Sequence, residues 1–213
     1  MGKENEQIMV VPRDVLFNGK KAFEGFADSD TADYESVILD NCSFMRRGDA
    51  EINPEYKQPI AYCFIVNHSL KKIFVYTRSF GEGYNEDRLR GKWSCGIGGH
   101  IEKMDAEGNP IYNSMLREIS EEVDIAGSKK PRILGYINYE GDAVSQVHFA
   151  LVYLIETDAS VVTLIGDESS IGRFESLSFL EELIRNSSEK DSDVQVEMWT
   201  KLALEPLRNY FKQ

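Results

Sequence analysis

The chain has 213 residues, of which 42% are hydrophobic and 28% charged, so we expect a single domain with additions. Its 36 acidic residues outnumber its 24 basic residues, and the net charge of −12 argues against nucleic acid or an anionic membrane as the main partner, because phosphate would be repelled. The longest apolar runs, 60–66 and 149–155, are much shorter than the ~20 residues that a membrane span needs.

Residues 1–55 alternate short apolar pieces with glycines and acids. Side chains such as Val10, Leu16 and Phe23 are too numerous for a disordered tail. They are also too few, and too often interrupted, to form a core of their own. We therefore predict an N-terminal extension over 1–55 that packs on a main domain over 56–213 or contributes to a homodimer interface, since two-fold dimers are the commonest soluble assembly.

Four strands are predicted in the main domain. The segments 60–66 and 72–78 are rich in β-forming residues and are separated by a short polar stretch, which predicts a hairpin. The segments 133–139 and 146–155 have the same character and predict two further strands.

Three helices are predicted between and after these strands. Asn109 and Pro110 form a typical helix start, and apolar residues then recur at helical spacing over 110–123. Two closing helices are predicted over 176–185 and 196–211. Strands around an internal helix, with helices late in the chain, indicate an α+β fold with a mixed sheet.

The internal helix carries three glutamates close together. Glu118, Glu121 and Glu122 are spaced so that a helix places their carboxylates on one face within about one turn. Like charges at this spacing destabilise a helix, and Mg²⁺, which prefers oxygen ligands, would relieve the repulsion. A solvated acidic face is the alternative interpretation.

A glycine-rich loop, Gly98-Gly99-His100-Ile101-Glu102, precedes this helix. Together with Arg117-Glu118-Ile119-Ser120-Glu121-Glu122-Val123-Asp124-Ile125, it resembles the Nudix box, the signature of Nudix hydrolases. The resemblance implies a Nudix-type α/β/α sandwich. It also implies that a bound Mg²⁺ or Mn²⁺ is held by the three glutamates and the backbone carbonyl of Gly98.

The chain departs from the Nudix signature at two places. Gly99 and Arg117 lie 18 positions apart, four more than in the signature, so the mid-box glutamate that braces the arginine has no unique counterpart. Glu107 is our first choice for this role and Asp105 the second. The closing glycine of the signature is replaced by Asp124, which we expect to end the helix in a left-handed conformation with little catalytic effect.

The resemblance also implies the chemistry, which is hydrolysis of a small molecule at a diphosphate linkage, typically a nucleoside diphosphate linked to another moiety. Such a pyrophosphohydrolase acts on acid anhydrides in phosphorus-containing compounds. Glu168, which precedes a Gly-x-aromatic segment as in many family members, is a candidate fourth ligand or general base. Glu121 is the alternative base. Arg117 is expected to orient the glutamates.

Several residues near the box are weighed for a role in the site. Arg78, Lys92 and Gly99 are candidates for contact with substrate phosphate. Arg88 and Arg90 could do the same, but for these two a solvated loop is the default interpretation. For His100 we favour a structural or substrate-loop role, because an all-oxygen magnesium site needs no histidine. Cys95 lacks a paired base, so we expect a small loop residue rather than a nucleophile.

No function is predicted for the two remaining histidines. His68 is expected in an exposed turn and His148 in a strand, with no partner spacing that would join them.

Three alternative functions remain at this point. An isopentenyl-diphosphate isomerase shares the fold and uses a cysteine near the position of Cys95, but that family usually lacks the Arg-Glu-x-x-Glu-Glu core. A non-catalytic Nudix-like nucleotide-binding module tends to lose one or more of the three glutamates, and this chain keeps all three. An interaction protein with an acidic helix would not explain the paired glycines.

Three cysteines without a CxxC pair favour a reducing compartment over a disulfide framework. The start of the chain, Met1-Gly2-Lys3-Glu4, has neither the basic nor the apolar region of an export signal. We therefore expect a cytoplasmic protein.

Overall fold

The computed structural model describes residues 2–78, 91–165, 169–189 and 193–212. No helix within these ranges is long and apolar enough to cross a bilayer. The strands are β1 (Gln7–Pro12), β2 (Gly25–Asp28), β3 (Ser43–Arg46), β4 (Tyr56–Asn67), β5 (Lys72–Arg78), β6 (Trp93–Ser94), β7 (Gly96–Ile97), β8 (Val123–Ile125), β9 (Lys130–Asn138), β10 (His148–Glu156), β11 (Val162–Leu164) and β12 (Ser169–Ser176). The helices are α1 (Arg13–Leu16), α2 (Tyr34–Asn41), α3 (Arg47–Ala50), α4 (Pro110–Glu122), α5 (Leu177–Asn186) and α6 (Met198–Tyr210).

The main sheet has the strand order β12-β5-β4-β10-β9-β2. Its two long central strands, β4 and β10, run in the same direction, because Gln58 at the start of β4 donates its N–H to the carbonyl of Val147, whereas Val66 near the end of β4 accepts from the N–H of Thr157. On one side of this central pair, β5 pairs antiparallel with β4. On the other side, β2 pairs antiparallel with β9. The predicted α+β fold with a mixed sheet is confirmed.

The chain forms two compact units, each assembled from three segments. The first unit comprises residues 1–62, 98–118 and 133–153. The second comprises residues 63–97, 119–132 and 154–213.

The first unit incorporates the N-terminal residues into its sheet. Strand β1 pairs with β3 along its first four residues and with the start of β4 through Val11 opposite Lys57. The apolar run from Ile8 to Val11 is buried along its whole length. A domain boundary at residue 55 stays a prediction.

The second unit contains the predicted hairpin. Strands β4 and β5 pair antiparallel with Val66 opposite Ile73, and Lys71 in the connecting turn has a positive φ of 51°. The hydroxyl of Ser176 caps α5 by accepting the N–H of Phe179 at 3.2 Å. Both closing helices were therefore predicted correctly in kind, with α6 beginning two residues later than expected.

Helix α4 begins as predicted and ends differently. The side-chain oxygen of Asn109 accepts the N–H of Tyr112 at 3.0 Å, and Pro110 occupies the first turn. After Glu122 the chain passes directly into β8, where Asp124 pairs with Thr163. The expected left-handed conformation at Asp124 is wrong, because burial of the flanking Val123 and Ile125 favours an extended strand with the aspartate side chain pointing outward.

Lys57 is a buried cation in the first unit. Its ammonium donates to the backbone carbonyls of Ser145 at 3.1 Å and His148 at 3.2 Å, and lies 2.9 Å from the carboxylate of Glu140. Burial lowers the pKa of Lys57 from 10.5 to about 8, although Glu140 opposes this shift.

We expect Lys57→Met to remove one component of the alkaline pH dependence of stability. Because the pKa of Lys57 is lower in the folded chain, the unfolded chain holds a proton between about pH 8 and 10.5 that the folded chain has lost, so this group makes stability rise with pH. The difference in the free energy of unfolding between wild type and variant should change by on the order of 2 kcal/mol across that pH window. Urea unfolding at several pH values measures it, and parallel curves for the two proteins would contradict the lowered pKa.

Candidate active site

The glycine-rich loop lies against strand β4. A Cβ atom at Gly98 would lie 2.1 Å from the backbone carbonyl oxygen of Ala61, a distance that no side chain can occupy. His100 forms an isolated antiparallel bridge with Ile60. The close approach of two backbones therefore explains why a glycine is needed at position 98.

The second glycine leaves space for a carboxylate. A Cβ atom at Gly99 would lie 2.4 Å from one oxygen of Glu118 and 2.8 Å from the other. Glu118 is buried, with 8% of its surface exposed. The carboxylate of Glu118 is thus held directly against the loop.

Arg117 connects the loop to the helix. Its guanidinium donates two parallel hydrogen bonds to Asp105, both 3.0 Å long, one to Glu118 at 2.7 Å, and one to the backbone carbonyl of His100 at 2.9 Å. Burial alone would lower the pKa of Arg117, but the carboxylates of Asp105 and Glu118 outweigh it and raise this pKa above its ordinary value. The arginine is therefore a permanently charged brace for Glu118.

Asp105, and not Glu107, is the acid that braces Arg117. Glu107 is exposed, and its backbone carbonyl accepts from the side chain of Asn113. Asp105 is 5% exposed and lies in a 3₁₀ turn formed by the inserted residues, where it also accepts the N–H of Glu102 at 2.9 Å. The preference for Glu107 was wrong. Asp105 forms a capping box with Glu102 in the structure, but Glu-x-x-Asp lacks the Ser/Thr-x-x-Glu/Gln signature by which such a box is recognised in a sequence.

The remaining acids predicted for the site differ in exposure. On α4, Glu121 is exposed and Glu122 half-buried. The backbone carbonyl of Glu122 accepts the N–H of Ile165 at 2.7 Å. Glu168 lies outside the described residues.

Arg78 occupies a buried ion pair. Its guanidinium lies 2.9 Å from Glu197, whose other oxygen accepts the hydroxyl of Ser94 at 2.8 Å. Glu197 was not singled out in the sequence, where one acid before a helix carries no distinctive signal. The backbone carbonyl of Lys92, whose residue is half-buried, accepts the N–H of Arg78.

Cys95 is completely buried beside Thr200, whose hydroxyl lies 3.6 Å from the sulfur. Burial raises the pKa of this thiol to about 12. Because the thiolate is the reactive form, Cys95 is not a poised nucleophile at neutral pH.

The structure brings together two histidines that the sequence did not connect. The Nε2 atoms of His100 and His148 lie 3.1 Å apart, and Oε1 of Glu51 lies 3.8 Å from Nε2 of His100. Burial, followed by the charge of His148, holds the pKa of His100 well below its ordinary value. His68 is exposed in the turn between β4 and β5, as predicted.

Comparison with known proteins supports the resemblance seen in the box. No protein-family model matches the chain. Protein YmaB of Bacillus subtilis (strain 168) is 33% identical over 181 residues, which cover 80% of this chain and 85% of YmaB. The crystal structure of Tm1382, which is assigned to the Nudix hydrolases, is 25% identical to this chain in sequence. The match covers 96% of this chain and 100% of the Tm1382 chain, with a TM-score of 0.76.

A further solved structure has the same fold at lower identity. The NUDIX domain of Shewanella oneidensis NrtR, crystallised with ADP-ribose, is 13% identical, covers 72% of this chain and 88% of its own, and has a TM-score of 0.54. The chain belongs to the Nudix hydrolase family. It is an enzyme of the pyrophosphohydrolase class, which acts on acid anhydrides.

We expect Asp105→Asn to destabilise the fold and Glu107→Gln to leave it unchanged. The first substitution breaks a buried, charge-assisted double hydrogen bond and should reduce the free energy of unfolding by about 1–3 kcal/mol. The second alters an exposed side chain, and such changes usually stay within about 0.5 kcal/mol. Urea unfolding of both variants provides the comparison, and equal losses would contradict the assignment of Asp105 as the brace.

Proposed function

We propose that the chain hydrolyses the diphosphate linkage of a nucleoside diphosphate joined to another moiety, or of a related organic diphosphate, with the help of Mg²⁺ or Mn²⁺. The observation that supports this most strongly is the placement of Glu118, whose carboxylate fills the space left by Gly99 and is held there by Arg117. A buried carboxylate fixed at a glycine-rich loop is suited to binding a cation rather than to solubility.

The donor atoms fit a hard divalent cation. Helical spacing on α4 places Glu118, Glu121 and Glu122 on one side of the helix, and the backbone of Gly98 lies in the adjoining loop. All four would offer oxygen, the ligand that Mg²⁺ and Mn²⁺ prefer. A bound ion would neutralise phosphate oxygens and lower the pKa of a coordinated water.

The residues around the glutamates have supporting roles in this proposal. Arg117 orients Glu118, and Asp105 in turn fixes the plane of the guanidinium. Glu121, which is exposed, is our choice for the base that takes the proton from the attacking water, and Glu168 is the alternative.

Substrate contact is proposed for the loop and for cations before it. Gly99 presents backbone close to Glu118. Lys92 is the more accessible of the two cations because it is half-buried, whereas Arg78 is buried against Glu197. ADP-ribose, which the NUDIX domain of NrtR binds, is one member of the proposed substrate class. The homodimer and the cytoplasmic location expected from the sequence stay predictions.

Two of the alternative functions are less well supported. An isomerase that depends on a cysteine near position 95 would need a reactive thiol, and Cys95 is buried with a raised pKa. A non-catalytic module would not need the brace of Arg117 and Asp105 around Glu118.

We expect Glu122→Gln to abolish most hydrolysis and the stabilisation by metal, while the fold is retained. Loss of partners that only orient a ligand already costs roughly 10–100-fold, so loss of a ligand should cost at least ~100-fold. The measurement is phosphate or nucleotide release from a panel of nucleoside diphosphate derivatives, including ADP-ribose, with and without Mg²⁺.

Asp124→Asn is the matched control for Glu122→Gln, because it removes an exposed charge two residues away, in β8. It should turn over substrate like the wild type. Melting curves with and without millimolar Mg²⁺ add a second readout, since an ion that binds only the folded chain raises its stability. Undiminished turnover by Glu122→Gln at saturating Mg²⁺ would contradict the metal site.

Alanine at the two loop glycines should produce different defects. At Gly98 the added methyl meets the backbone of Ala61, so Gly98→Ala should lower the free energy of unfolding by about 1–3 kcal/mol or more. At Gly99 the methyl meets the end of the Glu118 side chain, which can move. Gly99→Ala should therefore lose less stability than Gly98→Ala, because it displaces a side-chain end bonded to Arg117 rather than backbone.

The defect of Gly99→Ala should be seen in metal dependence. It should need roughly tenfold more Mg²⁺ for half-maximal activity, equivalent to about 1.4 kcal/mol of binding. The two predictions are tested by measuring, for both glycine variants, the melting curve and the dependence of activity on Mg²⁺ concentration. A wild-type Mg²⁺ requirement in Gly99→Ala would show that the position of Glu118 does not matter to the metal.

A further inference from the structure

A second group of potential metal ligands lies in the first unit and contains none of the residues proposed for hydrolysis. It consists of Glu51 beyond α3, His100 after the glycine pair, and His148 at the start of β10. One ligand atom from each lies within 4.8 Å of the others. His148 is 7% exposed, and Glu51 and His100 are half-buried.

The contacts of this group turn the ring nitrogens of the two histidines toward one another. Nδ1 of His148 lies 2.7 Å from the carbonyl of Val144, which can only accept, so Nδ1 carries a hydrogen and Nε2 of the neutral ring presents a lone pair. Nε2 of His100 faces this lone pair at 3.1 Å and Oε1 of Gln58 at 2.8 Å. The ring nitrogens of both histidines and the amide oxygen of Gln58 therefore converge on one small region, which a cation could occupy.

Gln58 adds an independent sign that a partner is needed here. Its side chain is completely buried, and its amide nitrogen has no hydrogen-bond partner among the residues that the structure describes. Exchanging the amide oxygen and nitrogen would satisfy the nitrogen but would leave the oxygen without a donor and two histidine lone pairs facing each other. A cation accepts lone pairs from all of these groups.

We propose that Glu51, His100 and His148 bind Zn²⁺. Two nitrogens and a carboxylate oxygen, with a fourth position open to water or to the amide oxygen of Gln58, form a typical zinc ligand set. Nitrogens at about 2.0–2.1 Å from a tetrahedral zinc lie roughly 3.4 Å apart, close to the 3.1 Å between the histidines. The contact of His148 with the carbonyl of Val144 fixes its tautomer, as in known metal sites.

This site is distinct from the proposed magnesium site in chemistry and in role. Its imidazole ligands suit Zn²⁺, whereas Mg²⁺ prefers oxygen. The backbone carbonyl of His100 accepts from Arg117, so a zinc ion would fix the segment that supports the Gly99 loop. The guanidinium of Arg47 lies 3.5 Å from Oε1 of Glu51 and would have to share that carboxylate with the ion.

The test is zinc binding by the full chain, measured without a metal-binding tag and with excess Mg²⁺ to occupy the glutamates. The wild type should bind one Zn²⁺ per chain, and Co²⁺ in its place should show the visible absorption of a tetrahedral site. His148→Gln should weaken zinc binding by more than ~10-fold, and Glu51→Gln should weaken it less. His68→Gln, which changes the remaining histidine of the chain, is the matched control and should bind like the wild type.

Several outcomes would overturn the proposal. These are no saturable zinc binding by the wild type, equal affinity in His148→Gln, Glu51→Gln and wild type, or loss of zinc in Glu122→Gln instead. Circular dichroism shows whether each variant folds, and if His148→Gln does not, the half-exposed Glu51→Gln decides. The readouts are metal content and affinity, so the result does not depend on whether the hydrolase activity is found.

Discussion

The buried guanidinium of Arg117 is the interaction on which the candidate site depends. It contacts the inserted turn through Asp105, the helix through Glu118 and the glycine loop through the carbonyl of His100. A planar cation with several fixed donors can hold three segments at once, which a lysine at the same position could not do. Removing any one partner would leave charge unpaired in a largely buried place, so the three segments are mutually dependent.

The sequence predicted seven of the eighteen strands and helices in the described residues, and these seven include the longest ones, where local signals agree with one another. Asn109 and Pro110 start α4, Ser176 caps α5, and the alternating and apolar runs around residues 60–78 form the β4–β5 hairpin. The end of α4 was harder to predict. A closing glycine would have favoured a left-handed cap, but the buried side chains on either side of Asp124 draw the chain into a strand paired with β11.

The site was predicted less completely than the fold. The acidic helix and the paired glycines, which the sequence singled out by their dense local pattern, meet in the structure at Gly99 and Glu118. The brace of Arg117 was assigned to the wrong acid, since counting along an insertion does not show which carboxylate turns inward. The histidine pair was missed altogether, because His100 and His148 are 48 residues apart and meet only through the tertiary fold.

The segmented make-up of the first unit has a consequence for synthesis on the ribosome. Strand β1 emerges among the first residues, but the unit also needs residues 98–118 and 133–153. At about 5–20 residues per second, the chain waits on the order of ten seconds between the completion of residue 62 and that of residue 153. During this interval the apolar run from Ile8 to Val11 has no complete sheet to join, so its protection from aggregation depends on early pairing with β3 or on a chaperone.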